Sequence, residues 1–388
     1  MAGGTIGGGM TIHVAYFSPW LTTGGTQRHL QQVLSLLDPA RFTASVYTIR
    51  PGGEVEGELR AAGVPVISLD AGQSLTSPRA AVTIVRAARL LRAARVDVVH
   101  GYQWRPALVG ALAGRLAGVP LVFASKRSLT GDDRSARFAW RMIGRRVDTL
   151  LANADALRAE AEAHGVAGRW TIVPSGIDVD RFRTPPPAAD AKAALGLDPS
   201  RPVVGTVGRL EARKGHEHFL VAAQAMLARA NGLRPQVLIV GDGPLRGHLA
   251  TRAAELGVAG SVTFTGALTD VRGALGAMDV FVLPSHAEGM SNALLEAMAA
   301  GRAVVATRVG GTGEAFDGDR TGVLVPPGDA GAKAGEVLAL LGDRERAARI
   351  GLAAQQWVGG HFGARAMVAQ MERLYEERLA RVGARRAA

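Results

Sequence analysis

Short apolar runs rich in β-branched residues recur along the whole chain and alternate with longer stretches of helical periodicity. Such runs predict strands buried on both faces, as in a parallel sheet covered by helices. Strands are predicted at residues 11–17, 44–49, 64–69, 96–100, 121–124, 149–152 and 171–173, and again at 203–207, 236–240, 261–265, 280–283, 303–306 and 322–325. Two successive series of βα units predict an α/β protein with two doubly wound, Rossmann-like domains that face each other across a cleft.

The proline-rich segment Thr184–Asp190 separates the two series. Three consecutive prolines stiffen a segment and disfavour helix, so we expect a linker there. In chain order we expect a flexible glycine-rich leader at 1–10, an N-terminal Rossmann-like domain at 11–184, a C-terminal Rossmann-like domain at 185–363 and a C-terminal helix at 364–388 that packs back on the N-terminal domain. Two domains are also what a length of 388 residues predicts.

Composition narrows the class of protein. The chain has no cysteine, which excludes disulfides and thiolate metal sites and favours a reducing cytosol. No apolar run approaches the roughly 20 residues that a membrane helix needs, so we expect a soluble, cytoplasmic protein. Net charge is +11, and residues 1–184 carry 22 basic and 14 acidic side chains. That excess suits nucleic acid, an anionic membrane surface or an anionic substrate, although a compositional bias toward arginine explains part of it.

Two glutamates, Glu288 and Glu296, lie eight positions apart across a predicted strand–helix junction. Eight residues do not return to one helix face, so Glu288 belongs on the loop after strand 280–283. Glu296 then lies about one turn inside a helix that Ser291 or Asn292 caps. Open α/β sheets bind ligands at this edge, where a helix N-terminus offers backbone N–H groups to an anion. A sugar nucleotide fits both features, because its phosphates would bind the backbone amides and its hydroxyls would bind the two carboxylates. The sequence therefore predicts a sugar nucleotide as ligand.

A second candidate site follows strand 203–207. The strand leads into Gly208, and Arg209 and Lys214 project from the loop before the next helix. Glycine lets the backbone approach a ligand closely, arginine supplies a planar fork and lysine a point charge, all of which suit a diphosphate. A solvated turn explains the same residues taken alone, but the acidic pair on a neighbouring strand end favours a donor-binding site.

Three further features lie at predicted strand ends in the first half of the chain. Gly24 and Gly25 open the first helix, either as an approach for a phosphate or donor sugar or as a tight turn. His100 ends a strand beside aromatic residues, which suits contact with sugar hydroxyls, although a lone histidine is more often structural. Arg127 follows strand 121–124 and is a candidate for binding an anionic acceptor or phosphate.

Two Asp-x-Asp sequences, Asp178–Asp180 and Asp317–Asp319, superficially match the signature of metal-dependent sugar transferases. Neither follows a lone apolar strand in a single Rossmann-like domain. We therefore expect no catalytic metal and no cofactor other than the nucleotide-sugar co-substrate.

Arginines recur at helical spacing in the first half of the chain. Arg134, Arg137, Arg141 and Arg145 are separated by three, four and four residues and share one face of a predicted helix. This pattern suits peripheral attachment to an anionic membrane that carries a lipid-linked acceptor. An ordinary surface helix with a buried apolar side is the alternative. We expect no nucleic acid as partner.

Taken together, these motifs resemble those of the family-four glycosyltransferases, which are retaining enzymes of the GT-B fold. The resemblance extends from Gly24 to the last helix. It is most specific at Glu288–Glu296, at Arg209 with Lys214, and at residues 171–178. It implies that Arg209 and Lys214 bind the donor diphosphate and stabilise the leaving nucleotide.

The resemblance also implies roles for the remaining motif residues. Glu296 would bind the ribose hydroxyls, Glu288 would hold the transferred sugar, and His100 would lie near the reacting face of that sugar. Backbone amides for the sugar and phosphate would come from Gly289, Met290, Ser291 and Asn292.

The reaction implied is transfer of a hexose-type sugar from a nucleotide-diphosphate sugar to a glycan, lipid-linked or small-molecule acceptor, with retention of configuration, as in polysaccharide biosynthesis. Met290, Ser291 and Ser175 depart from the family pattern, which leaves the identity of the sugar open. The alternatives are a GT-B sugar-nucleotide epimerase and a non-catalytic sugar-nucleotide binder.

Overall fold

The computed structural model describes residues 11–22, 24–71, 78–129, 133–230 and 232–387, so the predicted leader at 1–10 lies outside the described residues. The chain divides into two compact units. The N-terminal unit comprises Met1–Pro174 with Arg365–Ala388, and the C-terminal unit comprises Ser175–Ala364.

The N-terminal unit is built on a seven-stranded sheet in which all adjacent strands run parallel, in the order β3-β2-β1-β4-β5-β6-β7. Its strands are β1 (Ile12–Ser18), β2 (Phe42–Thr48), β3 (Val66–Ser68), β4 (Val98–Tyr102), β5 (Leu121–Lys126), β6 (Thr149–Ala152) and β7 (Trp170–Ile172). Its helices before residue 174 are α1 (Gly25–Leu36), α2 (Glu54–Ala61), α3 (Pro78–Ala93), α4 (Trp104–Ala117), α5 (Arg134–Gly144) and α6 (Asp155–Ala163).

The C-terminal unit has a six-stranded parallel sheet in the order β10-β9-β8-β11-β12-β13. Its strands are β8 (Val203–Val207), β9 (Gln236–Val240), β10 (Val262–Gly266), β11 (Val280–Leu283), β12 (Ala303–Thr307) and β13 (Val323–Val325). Its helices are α7 (Val179–Arg183), α8 (Ala188–Ala194), α9 (His216–Ala228), α10 (Arg246–Glu255), α11 (Arg272–Ala277), α12 (Asn292–Ala299), α13 (Ala330–Gly342) and α14 (Arg344–His361).

The last helix, α15 (Ala364–Ala387), runs from the end of the C-terminal unit into the N-terminal one. Its Tyr375 is fully buried in the same apolar cluster as residues of β1, β4 and β5. Two carboxylates of the helix also pair with Arg41, the buried Glu372 at 2.6 Å and the more exposed Glu376 at 2.7 Å. The helix is thus fixed to the N-terminal unit by both an apolar face and charged pairs.

The boundary predicted at residues 184 and 185 is wrong by ten residues, because the units divide after Pro174. The backbone N–H of Ile177 donates to the carbonyl of Phe362 at 2.8 Å, and Ala364 N–H donates to the carbonyl of Ile177 at 2.9 Å. Ile177 and Phe182 are also buried in the core of the C-terminal unit. The predicted linker Thr184–Asp190 belongs to that unit, and its last three residues begin α8.

Candidate active site

The carboxyl end of β11 positions the first motif glutamate. After Leu283 and Pro284 the chain forms a loop that carries Ser285 and Glu288, and both side chains are buried. Oε1 of Glu288 accepts a hydrogen bond from Nζ of Lys214 at 2.6 Å and another from Oγ of Ser285 at 2.7 Å. Two donors, one of them cationic, offset the cost of holding this carboxylate away from water.

The second glutamate lies on the helix that follows. As predicted, Ser291 is the N-cap of α12, and its Oγ accepts from the N–H of Leu294 at 3.4 Å. Glu296 lies one turn further along the helix, with 6% of its surface exposed. A mostly buried acid in an otherwise apolar helix is uncommon in proteins.

The loop after β8 brings Lys214 to Glu288. Gly215 has a φ of +66°, and a Cβ on it would meet the carbonyl oxygen of Pro284 at 2.0 Å. The N–H of His286 also donates to the carbonyl of Arg213 at 2.8 Å. The loops after β8 and β11 are therefore packed backbone against backbone, and only glycine fits at position 215.

Arg209 lies on the same loop but is engaged differently from Lys214. Its Nε is 2.5 Å from Glu211, whose other oxygen lies 3.2 Å from Nε of Arg213. Half of the Arg209 side chain is exposed, which leaves the guanidinium accessible. The carbonyl of Arg209 accepts from Nε2 of His216 at 3.2 Å, and burial lowers the pKa of His216 to about 4. His216 is therefore neutral at pH 7 and braces the loop as a hydrogen-bond donor.

His100 lies elsewhere than the resemblance implied. It is completely buried in the N-terminal sheet, where Nδ1 contacts the hydroxyl of Tyr375 at 2.6 Å and Nε2 contacts Oγ of Ser125 at 2.7 Å. Burial, assisted by the charge of Arg127, lowers the pKa of His100 to about 3. Both ring nitrogens are used inside the protein, so the assignment of His100 to the face of the sugar is corrected. His100 anchors α15 to β4.

Gly24 and Gly25 begin α1, whose N-terminus has no side-chain cap. A Cβ on Gly25 would meet nothing within 4 Å, so packing within the unit does not require glycine there. Nearby, Nε2 of Gln103 donates to Oγ1 of Thr26 at 3.1 Å. Gln103 has a φ of +65°, which costs a non-glycine residue on the order of 1–3 kcal/mol and is often found at functional sites.

Arg127 lines a small pocket in the N-terminal unit together with His29, Asn153 and Met371. Burial lowers the pKa of Arg127 to about 10, which leaves it cationic at pH 7. The same burial and the charge of Arg127 lower the pKa of His29, whose Nδ1 is buried and has no hydrogen-bond partner within the described part of the chain. The pocket therefore combines a desolvated cation with an unsatisfied polar atom.

The two Asp-x-Asp sequences serve local structure. Asp178 caps α7 by accepting from the N–H of Arg181 at 3.3 Å, and the exposed Asp180 lies 3.7 Å from Arg183. Asp317 pairs with Arg320 on the surface. Within the described ranges, no three histidine, aspartate or glutamate side chains cluster as metal ligands would.

The arginine-bearing helix is amphipathic, as its spacing predicts. Its apolar face, with Trp140 and Ile143, is buried, whereas Arg134, Arg141 and Phe138 are exposed, Phe138 to 64%. Across the part of the chain that the structure covers, no helix is both long and apolar enough to cross a membrane.

Sequence reasoning missed Ser285, Thr307 and Glu211. Ser285 and Thr307 are polar residues at the carboxyl ends of β11 and β12, the edge where such sheets bind ligands, so position alone could have identified them. Glu211 follows Arg209 by two residues and offered no comparable signal.

Comparison with known proteins identifies the family. Residues 23–181 match the family model described as Glycosyltransferase Family 4, and residues 201–343 match the model described as glycosyl transferases group 1. A GDP-mannose-dependent alpha-(1-6)-phosphatidylinositol monomannoside mannosyltransferase of Mycobacterium tuberculosis is 33% identical over 86% of this chain and 90% of the relative. This chain belongs to glycosyltransferase family 4.

A second relative of this glycosyltransferase is a D-inositol 3-phosphate glycosyltransferase of Nocardia farcinica, 34% identical over 68% of this chain and 63% of the relative. Among solved structures, Anabaena HepE in complex with UDP-glucose superposes with a TM-score of 0.82 at 20% identity, over 94% of this chain and 100% of HepE. WaaG, a glycosyltransferase involved in lipopolysaccharide biosynthesis, superposes with a TM-score of 0.72 at 18% identity, over 92% of this chain and 99% of WaaG. The fold of this glycosyltransferase is GT-B, as predicted.

Proposed function

We propose that this glycosyltransferase moves a hexose-type sugar from a nucleotide-diphosphate sugar to an acceptor. The observation that carries the proposal is the contact between Lys214 and Glu288, which joins a cation suited to a diphosphate with a carboxylate suited to sugar hydroxyls. Arg209, half exposed on the same loop, supplies the second phosphate ligand. Glu296 binds the ribose hydroxyls, and the N–H groups of residues 289–292 bind sugar and phosphate.

We further propose that transfer retains the anomeric configuration and requires no metal. Arg209 and Lys214 stabilise the charge that develops on the departing diphosphate, the electrostatic role that a metal fills in other transferases. Glu288 orients the sugar and stabilises its oxocarbenium character, and the diphosphate assists deprotonation of the acceptor. GDP-mannose, on which a relative depends, and UDP-glucose, present in the structure of a fold neighbour, are the first donor candidates for this chain.

The test combines binding with product analysis. Thermal shift against a panel of sugar nucleotides that includes UDP-glucose and GDP-mannose identifies the donor, because a ligand stabilises in proportion to the logarithm of its concentration over its Kd. The labelled donor is then turned over with phosphatidylinositol and inositol-phosphate acceptors, and the configuration of the product is read by NMR. We expect Glu288→Gln and Lys214→Met to lose about 100-fold or more in turnover.

Asp180→Asn is the control, because Asp180 is exposed and lies on α7. Wild-type turnover in both active-site variants would contradict the assignment. A labelled epimer of the donor sugar, formed without acceptor, would support the epimerase, and binding without turnover would support a non-catalytic binder.

We also propose that the N-terminal unit, which would bind the acceptor, attaches peripherally to the cytoplasmic face of an anionic membrane. Helices α3, α4 and α5 contain four, two and three arginines and no acidic residue. Neighbouring pairs of these helices are in contact, and large apolar side chains exposed on them include Val82, Val85, Leu116 and Phe138. Exposed arginines with interspersed apolar side chains suit anionic headgroups.

Sedimentation with vesicles tests this attachment. We expect binding to phosphatidylglycerol vesicles, weaker binding to phosphatidylcholine vesicles, and loss of binding in high salt. Phe138→Ser combined with Arg134→Gln and Arg141→Gln should reduce binding without changing donor affinity. Equal binding to both vesicle types would contradict the proposal.

A further inference from the structure

The carboxylate of Glu288 is held at one oxygen only. Both of its hydrogen bonds, from Lys214 and from Ser285, reach Oε1. Among the described residues no donor reaches Oε2. This oxygen is also not one of the fully buried polar atoms that lack a hydrogen-bond partner. Oε2 therefore keeps contact with solvent on a side chain that is only 5% exposed.

Ser285 is itself fixed from the neighbouring strand. Thr307, the last residue of β12, is fully buried, and its Oγ1 donates to the carbonyl of Ser285 at 2.5 Å and lies 3.3 Å from the carbonyl of Leu283. These two carbonyls flank Pro284, where β11 ends and the loop begins. The hydroxyl of Thr307 thus sets the path of the backbone that carries Ser285.

The two donors to Oε1 differ in kind. Lys214 has a long flexible side chain that is 17% exposed, and the proposed function also requires it at the diphosphate. Ser285 is fully buried on a short side chain with one rotatable bond to its oxygen. When Lys214 shares its charge with phosphate, Ser285 remains the fixed donor that keeps Oε1 in place.

We propose that Ser285 and Thr307 are positioning residues that pin Oε1 of Glu288, so that Oε2 is the oxygen that accepts a hydroxyl of the transferred sugar. This inference rests on the role proposed above for Glu288. Neither residue touches the donor, and both act through the orientation of one carboxylate.

The experiment separates the sugar from the nucleotide. Dissociation constants are measured for UDP and UDP-glucose, and for GDP and GDP-mannose, and the ratio of the two constants gives the contribution of the sugar to binding. We expect Ser285→Ala to lower that contribution and kcat about tenfold each while the affinity for the free nucleoside diphosphate stays within about twofold. Thr307→Val should act in the same direction, and Ser285→Thr and Thr307→Ser should restore part of the loss.

Thr206→Val is the matched control, because Thr206 is also buried in this sheet but its Oγ1 has no hydrogen-bond partner in the ranges that the structure describes. We expect the wild-type sugar contribution in this variant. An equal loss of affinity for UDP and UDP-glucose in Ser285→Ala would indicate a merely structural role and overturn the inference.

Two outcomes distinguish an error in the positioning role from an error in the proposed function. If Glu288→Gln loses the sugar contribution but Ser285→Ala and Thr307→Val do not, the positioning role is wrong and the donor site stands. If Glu288→Gln also keeps the full sugar contribution and turnover, the assignment of Glu288 is itself wrong.

Discussion

Nζ of Lys214 lies 2.6 Å from Oε1 of Glu288, and this pair joins the loops that follow two adjacent strands of the C-terminal sheet. Both side chains are largely withdrawn from water. A buried ion pair of this kind contributes little net stability compared with an apolar pair, but removing one partner leaves the other uncompensated. Stability alone therefore does not account for the pair, which agrees with the donor-binding role proposed above.

The stability and the activity of Lys214 variants should therefore be separable. Lys214→Met leaves the carboxylate of Glu288 with Ser285 as its only donor among the described residues, so we expect a loss of about 1–3 kcal/mol in the free energy of unfolding. The double variant Lys214→Met with Glu288→Gln removes both charges and should recover most of that stability but none of the turnover. Urea unfolding and donor turnover measured on the same samples check this, and recovery of turnover in the double variant would contradict it.

The glycines of the loop after β8 should differ in their tolerance of substitution. Gly215→Ala forces a Cβ onto the carbonyl of Pro284 at a φ of +66°, so we expect a loss of about 2 kcal/mol or more, with reduced donor binding. Gly208 has 3.8 Å of clearance to its nearest neighbour, His216. Gly208→Ala should therefore fold with wild-type stability, and a drop in its thermal midpoint as large as that of Gly215→Ala would refute the distinction.

Lys333 is predicted to destabilise the native state. It is fully buried in α13, and its Nζ has no hydrogen-bond partner among the described residues. Burial lowers its pKa, so the native state binds this proton less tightly than the unfolded chain does. Lys333→Met should raise the free energy of unfolding by about 1–2 kcal/mol at pH 7, and the gain should shrink as pH rises toward 10.

Lys192 supplies the matched control for that experiment. It is also buried, but its Nζ bonds Asp279 at 3.0 Å and the carbonyl of Arg201 at 2.9 Å. Lys192→Met should therefore destabilise the protein where Lys333→Met stabilises it. If urea unfolding showed a change of the same sign in the free energy of unfolding for both variants, hydrogen-bond partners would not explain the behaviour of these two lysines.

The fold was largely predictable because its strands are buried on both faces and carry a strong apolar signal. The predicted strand 280–283 coincides with β11, and of the two caps predicted for α12, Ser291 and Asn292, the structure has Ser291. The boundary between units was not predictable in this way. It depends on pairing of Ile177 with Phe362, which are remote in sequence and apolar, whereas the prolines at 185–187 gave a stronger but misleading local signal.

The candidate site was predictable where a charge lies at a strand end. Glu288 and Lys214 were expected to bind one ligand, and the structure brings them into contact. Ser285 carries no motif of its own, so its position at the carboxyl end of β11 was the one signal that could have identified it. His100 was misassigned because its burial depends on Tyr375, which is 275 residues further along the chain. Contacts of that range do not follow from local sequence.

Acid should destabilise the C-terminal unit through His216. Its folded pKa of about 4 lies below the ordinary value of 6.5, so between these limits the unfolded chain binds a proton that the native state does not. The free energy of unfolding therefore falls as pH drops below about 6.5, by up to about 1.4 kcal/mol per pH unit from this group. His216→Gln, which keeps a donor for the carbonyl of Arg209, should show a shallower decline between pH 6 and pH 4.5. Identical pH profiles of urea unfolding for wild type and variant would show that His216 is not the group that titrates.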